Sequence, residues 1–87
     1  MNLVFSRRFE EDYKKLLRAG EKYRNKVLKT LEILAENIEH PSLRLHKLNN
    51  RHSYSVSVDM KIRILMEIED DMIFLIRIGN HDEVYRD

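Results

Sequence analysis

The apolar residues of this chain follow two different periods, one in each half of the sequence. In the first half they recur every three to four residues, a spacing that is typical of amphipathic helices. In the second half they alternate with polar residues, as expected of strands that bury one face. The pattern therefore predicts an α+β fold in which a helical region precedes most of the sheet.

The helical period predicts two helices after a short strand at residues 2–5. Ser6 is a suitable N-cap for the first helix, and Gly20 is placed to end it. The second helix covers about residues 21–38, and we expect Pro41 to stop it because proline cannot donate to the helical ladder. So short a junction between two amphipathic helices indicates an antiparallel hairpin.

Three strands with alternating apolar positions follow at residues 53–59, 61–68 and 72–78. Their short connections indicate an antiparallel meander. The predicted fold is therefore α+β, with an N-terminal strand and an antiparallel helical hairpin packed on a mainly antiparallel four-stranded sheet.

The parity of the strand residues predicts two faces of different character. Even positions are apolar and should pack under the helices: Tyr54, Val56, Val58, Ile62, Ile64, Met66, Ile68, Met72, Phe74, Ile76 and Ile78. Odd positions mix polar, cationic and apolar side chains and should form the opposite face: Ser55, Ser57, Asp59, Lys61, Arg63, Leu65, Ile73, Leu75 and Arg77. The tail, residues 79–87, can fold back across that second face.

The composition fits one small domain over residues 1–87. The chain is 43% hydrophobic and 36% charged, which is typical of a soluble globular protein. It has no cysteine, which excludes a disulfide scaffold and a cysteine-based zinc module. No apolar run approaches the ~20 residues of a membrane span, and no signal-peptide pattern is visible. We therefore expect a cytoplasmic protein without a membrane partner.

The formal net charge is only +1, but the charges are segregated along the chain. Residues 1–31 carry +5 and residues 41–63 carry +4, whereas residues 32–40 carry −3 and residues 64–87 carry −5. Such segregation suits a protein with one surface that faces a polyanion, although solvated helix faces also produce it.

Histidines and carboxylates are the main candidates for chemistry, because the chain lacks a thiol, a glycine-rich phosphate loop and a nucleophile elbow. His40 and His52 lie near a helix end and a turn, where structural roles are common. No two histidines have the i, i+4 spacing of a zinc protease, so no metal or other cofactor is expected. His46, before the meander, and His81, after it, could act as acid or base near neutral pH.

Arg63 and Arg77 lie on the odd face of the predicted sheet and could hold a phosphate. The alternative interpretation is that they pair across strands with Asp59 or Glu67 on a solvated face. The residue pattern alone leaves both interpretations open.

Three segments combine with the order of the predicted elements into a specific pattern. Leu-Arg-Leu-His-Lys-Leu at 43–48 precedes the meander, Arg63 lies in its middle strand, and Ile-Gly-Asn-His-Asp-Glu-Val-Tyr at 78–85 follows it. In this combination the chain resembles, over essentially its full length, the RelE/ParE superfamily of bacterial toxins. The resemblance is to the YafQ-like branch of messenger-RNA-cleaving toxins in particular.

The resemblance implies a RelE-like toxin of a type II toxin–antitoxin pair that cleaves messenger RNA in the ribosomal A site without a metal. In that chemistry the ribose 2′-hydroxyl attacks the adjacent phosphodiester, which requires a base, an acid and cations for the developing charge. The implied partners are a cognate antitoxin, messenger RNA and the ribosome, with operator DNA bound only through the antitoxin complex.

Carried onto this sequence, the resemblance assigns catalytic roles to five residues. His46 and His81 match the two best acid and base candidates, and Arg63 matches a strand arginine that clamps the phosphate. Tyr85 matches a C-terminal aromatic that stacks a base or positions the phosphate, and Asp59 stands near an acidic catalytic residue. Further cations would contact RNA: Arg44, Lys47, Lys61 and Arg77.

One position departs from the YafQ-like pattern. The first meander strand supplies a histidine in those toxins, whereas residues 55–58 read Ser-Val-Ser-Val here. Lys47 or Lys61 could compensate, since some RelE relatives use lysine and arginine instead. Two other functions stay open: a ParE-like inhibitor of DNA gyrase, and a toxin-fold module that only binds an antitoxin and regulates its operon.

Overall fold

A computed structural model describes residues 1–49 and 52–85 of the chain. The elements in chain order are β1 (Asn2–Phe5), α1 (Arg7–Ala19), α2 (Tyr23–Glu36), a 3₁₀ turn (Pro41–Leu43), β2 (His46–Lys47), β3 (Ser53–Ser57), β4 (Ile62–Glu69), β5 (Met72–Asn80) and α3 (His81–Tyr85). The strands form one sheet in the order β1-β5-β4-β3-β2. In it β1 lies parallel to β5, and the other described pairs are antiparallel.

The predicted α+β class is confirmed, but the sheet formed by the described residues has five strands rather than four. The additional strand is β2, whose His46 lies opposite Ser55 and whose Lys47 lies opposite Tyr54. A strand of two residues leaves no alternating pattern in the sequence, which explains why periodicity predicts only four strands.

The first helix begins and ends where its sequence predicts. The hydroxyl of Ser6 accepts a 3.0 Å hydrogen bond from the backbone N–H of Phe9, and Gly20 is the C-cap. The second helix ends earlier than predicted, at Glu36 with Asn37 as its C-cap. Pro41 therefore does not stop that helix; its fixed φ instead suits the first position of the separate 3₁₀ turn.

The hydrophobic core lies between the helical hairpin and one face of the sheet. Phe9 of α1 and Val27 and Leu34 of α2 are buried there, as the helical period predicts. The strands contribute a matching set of buried side chains: Val56, Ile62, Ile64, Met66, Ile73, Leu75 and Ile78. Burying a side chain of this size contributes roughly 1.5–3 kcal/mol, so this layer fixes the hairpin on the sheet.

A β-bulge in β5 interrupts the alternation of its side chains. Leu65 of β4 lies opposite Arg77, whereas the next residue, Met66, lies opposite Leu75. Ile76 is therefore an extra residue in β5. Successive side chains of a strand alternate between its two faces. One extra residue therefore places every preceding side chain of β5 on the face opposite to the one predicted.

The predicted parity of β5 is consequently wrong before the bulge. Ile73 and Leu75, which parity places on the opposite face, are completely buried in the core. Met72, Phe74 and Ile76, which parity places under the helices, are only half-buried. Residues 72–76 are apolar on both faces of the strand, so their sequence does not show that the two faces are exchanged.

Helix α1 covers the edge of β5 beyond the end of β1. The Ser6 hydroxyl donates a 3.0 Å hydrogen bond to the carbonyl of Ile76, the bulge residue. The Asp12 carboxylate accepts a 3.1 Å hydrogen bond from the backbone N–H of Ile78. These side chains satisfy strand groups that would otherwise stay unpaired at a sheet edge.

Helix α3 folds back over the sheet face opposite the core, which we call the open face. Asn80 and Glu83 cap it reciprocally, since the backbone N–H of each donates a 2.9 Å hydrogen bond to the side-chain oxygen of the other. Val84 is buried beneath the helix. The predicted return of the tail is thus confirmed for residues 81–85, whereas residues 79 and 80 extend β5 and residues 86 and 87 lie outside the described part.

None of the helices within residues 1–49 and 52–85 is long and apolar enough to cross a membrane.

Candidate functional site

Arg63 of β4 lies at the centre of a hydrogen-bonded group on the open face. Its Nη1 donates to Ser57 Oγ at 2.8 Å, and its Nη2 donates to Ser55 Oγ at 2.9 Å. The Tyr85 hydroxyl accepts from Arg63 Nε at 3.3 Å and donates to Ser55 Oγ at 2.7 Å. We call these four side chains, which come from β3, β4 and α3, the arginine cluster.

The strand register explains why the arginine cluster forms. Ser57 lies directly opposite Arg63, and Ser55 lies on the same face two residues away along β3. Ser55 is completely buried, so leaving its hydroxyl without a partner would be costly. Arg63 and Tyr85 both bond to it. The two serines therefore fix the position of the Arg63 guanidinium. Their presence on a polar strand face does not by itself predict this role.

The positive charge of Arg63 is not compensated by a carboxylate. Across the described ranges 1–49 and 52–85, no acidic side chain lies within 4.0 Å of its guanidinium nitrogens. Three of the five N–H donors of an arginine serve the cluster here, which leaves two for a ligand. A fixed guanidinium with spare donors is well suited to bind a phosphate.

Two histidines approach the arginine cluster from different elements. Because β2 runs back along β3, His46 lies opposite Ser55. Because α3 folds back over the sheet, the ring centroid of His81 lies 4.6 Å from that of Tyr85. A three-stranded meander alone would separate residues before and after it, so the unpredicted β2 and the returning α3 are what place both imidazoles near the cluster. Both histidines are exposed.

A groove of about 840 Å³ extends along the open face beside the cluster, and we call it the main groove. Its described lining comes from α1, α3, the sheet and the two residues after β2: Arg8, His46, Lys47, Leu48, Asn49, Ser53, Leu65, Ile76, Arg77, Val84 and Tyr85. Arg8 is absent from the predicted site. Sequence reasoning misses it because only the packing of α1 along β5 relates it to the segment that contains His46.

Arg77 lies in the main groove, but its charge is paired. Its Nε donates to Asp12 Oδ2 at 2.9 Å and its Nη2 donates to Asp12 Oδ1 at 3.2 Å. The hydrogen bond to Asp12 raises the pKa of Arg77, although partial burial acts in the opposite sense. Neither Asp59 nor Glu67 pairs with it, so the predicted cross-strand pairing is wrong. The true partner lies on α1, 65 residues away.

Asp59 holds the turn between β3 and β4. Its Oδ1 accepts 2.8 Å hydrogen bonds from the backbone N–H groups of Lys61 and Ile62, and its Oδ2 accepts one of 3.1 Å from Lys26 Nζ. Burial raises the pKa of Asp59, but these hydrogen bonds outweigh burial and hold the pKa below its ordinary value. A carboxylate so occupied is a weak base, and no described bond links it to Tyr85 or Ser55.

The remaining predicted cations lie around this site without joining the cluster. Lys47 lines the main groove, and its Nζ lies 5.9 Å from the ring centroid of Tyr54. Lys61 is exposed in the β3–β4 turn. Arg44 follows the 3₁₀ turn and is also exposed. Among residues 1–49 and 52–85, no group of three histidine, aspartate or glutamate side chains is placed to hold a metal ion.

The fold is that of type II toxins of the RelE/ParE superfamily. A metal-bound toxin from Helicobacter pylori superposes with a TM-score of 0.81 at 22% identity and covers 98% of this chain and 99% of its own. YafQ from Escherichia coli gives a TM-score of 0.80 at 18% identity, with 97% of each chain covered. YoeB in its complex with YefM from Staphylococcus aureus gives a TM-score of 0.74 at 24% identity, with 93% of this chain and 97% of that chain covered.

The sequence matches the family of ParE toxins of type II toxin–antitoxin systems over residues 3–85. The chain therefore belongs to this family, and the predicted membership of the RelE/ParE superfamily is confirmed. No curated protein sequence matches the chain.

Proposed function

We propose that this toxin cleaves messenger RNA on the ribosome without a metal ion, as an endoribonuclease that uses the ribose 2′-hydroxyl as nucleophile. The arginine cluster is the observation that carries the proposal. Arg63 is a fixed cation that has no carboxylate partner among the described residues and contacts the phenol of Tyr85, and His46 and His81 border the same cluster. A phosphodiester bound to Arg63 would meet the groups that this transesterification needs.

In the proposed reaction the 2′-oxygen forms a bond to phosphorus while the bond from phosphorus to the 5′-oxygen breaks. One of the two imidazoles, His46 or His81, accepts the proton of the 2′-hydroxyl, and the other donates a proton to the leaving 5′-oxygen. Arg63 stabilises the negative charge of the phosphorane, and Tyr85 orients the phosphate. The products are a 2′,3′-cyclic phosphate and a 5′-hydroxyl.

The other residues assigned to RNA differ in how available they are. Lys47 lines the main groove and contacts the RNA backbone there. Arg44 and Lys61 are exposed and attract the same polyanion. Arg77 contributes less because its charge is paired with a carboxylate of α1. Asp59 holds its turn, and we assign it no part in proton transfer.

Purified toxin added to translating ribosomes tests the proposal directly. Primer extension should map cuts within the translated message, and the fragments should carry 2′,3′-cyclic phosphates. The double variant with His46→Ala and His81→Ala should lose cleavage by roughly 100-fold or more, because both proton-transfer groups are gone. His52→Ala removes a histidine to which no catalytic role is assigned and should cut like wild type. Undiminished cleavage by the double variant would contradict the assignment.

A second function is favoured by the family match, which is to ParE toxins. Inhibition of DNA gyrase would not need His46 or His81. Growth arrest by the double variant, with gyrase-dependent DNA breaks and intact messenger RNA, would support this function over RNA cleavage. No growth arrest on expression of the wild-type chain would indicate a module that only binds an antitoxin and regulates its operon.

The similar structures include toxins bound to partners, DinJ with YafQ and YefM with YoeB. We propose that a cognate antitoxin binds and neutralises this chain in the cytoplasm, and that operator DNA is bound only through that complex. We expect a short reading frame next to the gene; its co-expression should restore growth, and its product should co-purify with the toxin. A shift of operator DNA by toxin alone would contradict the second part.

A further inference from the structure

Arg63 lines a second groove, and its partner Tyr85 lines the main groove. This turn groove has a volume of about 300 Å³, lies at the β3–β4 turn, and is lined by Ser42, Arg44, Ser57, Asp59, Met60 and Arg63 among others. Arg63 bonds to Tyr85 on the side of the main groove and to Ser57 on the side of the turn groove. The arginine cluster therefore lies where the two grooves meet.

Arg44 lines the turn groove, and its backbone has an unfavourable conformation. Its φ of 48° and ψ of 53° are left-handed, a region in which a side chain with a Cβ is strained and glycine or asparagine is preferred. The described part of the chain has one other non-glycine residue of positive φ, Asp70 in the β4–β5 turn. The Arg44 side chain is exposed and has no hydrogen bond or ion pair within residues 1–49 and 52–85.

The turn groove has a net positive lining. Asp59 supplies a carboxylate, but both of its oxygens are already bound by Lys26 and by two backbone N–H groups of the turn. Arg44 and Arg63 have no carboxylate partner among the described residues. Two cations therefore remain available to an anion. Beside them, the Met60 side chain is fully exposed at the rim, where its thioether offers apolar contact.

We propose that the turn groove binds the RNA nucleotide next to the scissile phosphate, with Arg44 on the neighbouring phosphate and Met60 against the base. The assignment rests on the proposed RNA cleavage, because it takes the phosphate on Arg63 as the scissile one. From Ser53 to Ser57 strand β3 covers about 14 Å, long enough for a single strand to pass from the main groove over Arg63 into the turn groove. An uncompensated cation beside an apolar side chain suits an unpaired nucleotide.

Binding of an RNA that cannot be cut separates this assignment from catalysis. The probe is a fluorescein-labelled single-stranded RNA with 2′-O-methyl riboses, measured by anisotropy at several salt concentrations. Arg44→Gly should lower its affinity roughly five-fold and reduce the slope of log affinity against log salt by about one. The same variant should keep or raise the thermal midpoint, because glycine relieves the strained backbone. Met60→Ser should lower affinity roughly two- to three-fold with the salt slope unchanged.

Arg18→Ala is the matched control, since it removes one exposed cation at the end of α1, outside both grooves. Affinity and salt slope that stay unchanged in Arg44→Gly would overturn the proposal. An equal loss in Arg18→Ala would also overturn it, because the effect would then reflect net charge alone, and so would equal affinity for duplex DNA of the same sequence. Arg44-dependent binding by a toxin that never cuts a message would overturn the proposed cleavage while supporting the RNA site.

Discussion

The phenol of Tyr85 donates a 2.7 Å hydrogen bond to the buried hydroxyl of Ser55, which lies 30 residues earlier in the chain. Arg63 Nε lies 3.3 Å from both of these oxygens and donates to each. The three groups thus form a closed set of hydrogen bonds that ties the end of α3 to the middle of the sheet. In a half-buried setting such bonds reinforce one another, so each partner fixes the orientation of the other two.

Coupling between Tyr85 and Ser55 is the first prediction. Tyr85→Phe and Ser55→Ala should each lower the free energy of unfolding by about 1 kcal/mol, because each removes one partner of a shielded hydroxyl. The double variant should cost less than the sum of the two by roughly 0.5–1 kcal/mol, since both changes remove the same bond. Urea unfolding measures all three, and Tyr23→Phe, on α2, is the control. Strictly additive losses would show that the two groups act independently.

Loss of the carboxylate that pairs with Arg77 should destabilise the fold strongly. Asp12→Asn is expected to lower the free energy of unfolding by roughly 2–3 kcal/mol, because it leaves a guanidinium that is only 17% exposed without its counter-charge. Glu11→Gln breaks an exposed i, i+4 pair with Arg7 and should cost less than about 0.5 kcal/mol. Thermal and urea unfolding compare the two. A similar small loss in both would mean that the Asp12 pair is not a structural bond.

Stability in acid should depend on Asp59. Its pKa in the folded protein lies below the ordinary value of 3.8, so its contribution is complete above that value and disappears as the pH falls through the folded-state pKa. Asp59→Asn removes this contribution. The gap in unfolding free energy between wild type and variant should therefore be larger at about pH 6 than at about pH 2.5. Asp82→Asn removes a carboxylate that is 90% exposed and is the control for the loss of one negative charge. A constant gap for Asp59→Asn would contradict the prediction.

Gly79 makes room for the cap of α3. A Cβ added there would lie 2.8 Å from Glu83 Oε1 and 3.2 Å from Glu83 Cβ, so the capping carboxylate must move. Gly79→Ala should therefore cost about 1 kcal/mol and speed amide hydrogen exchange in residues 81–85. Gly20→Ala meets only ordinary contacts at 3.4 Å and should leave both quantities nearly unchanged. Unaltered exchange in Gly79→Ala would show that Glu83 relaxes without disturbing α3.

Features that depend on neighbours in sequence were predictable here. A few neighbouring residues are enough to recognise the Ser6 cap, the helical spacing around Phe9 and Val27, and the strand alternation around Ile64. Each produces a local hydrogen bond or a continuous apolar face, which a one-dimensional pattern records directly.

Features that depend on residues far apart in the chain were not predictable from the sequence. The bulge at Ile76 is stabilised by the Ser6 hydroxyl, and Arg77 is paired by Asp12, both across more than 60 residues. Ser55 and Ser57 look like ordinary polar strand residues until the register places Arg63 between them and Tyr85 above them. The candidate site residues could therefore be named from the sequence, whereas the side chains that bond to Arg63 and Arg77 could not.

The parallel pairing of β1 with β5 has a consequence for the order in which the protein folds during its synthesis. Of the described strands, β1 is synthesised first and its partner β5 last, with Asn2 opposite Met72 and Phe5 opposite Leu75. Closing a loop of that length carries an entropic cost that local helix formation does not, so the helical hairpin can form early, whereas the sheet cannot form in full until β5 has been synthesised. A nascent chain that still lacks α3 therefore has no assembled arginine cluster, because the cluster needs the phenol of Tyr85.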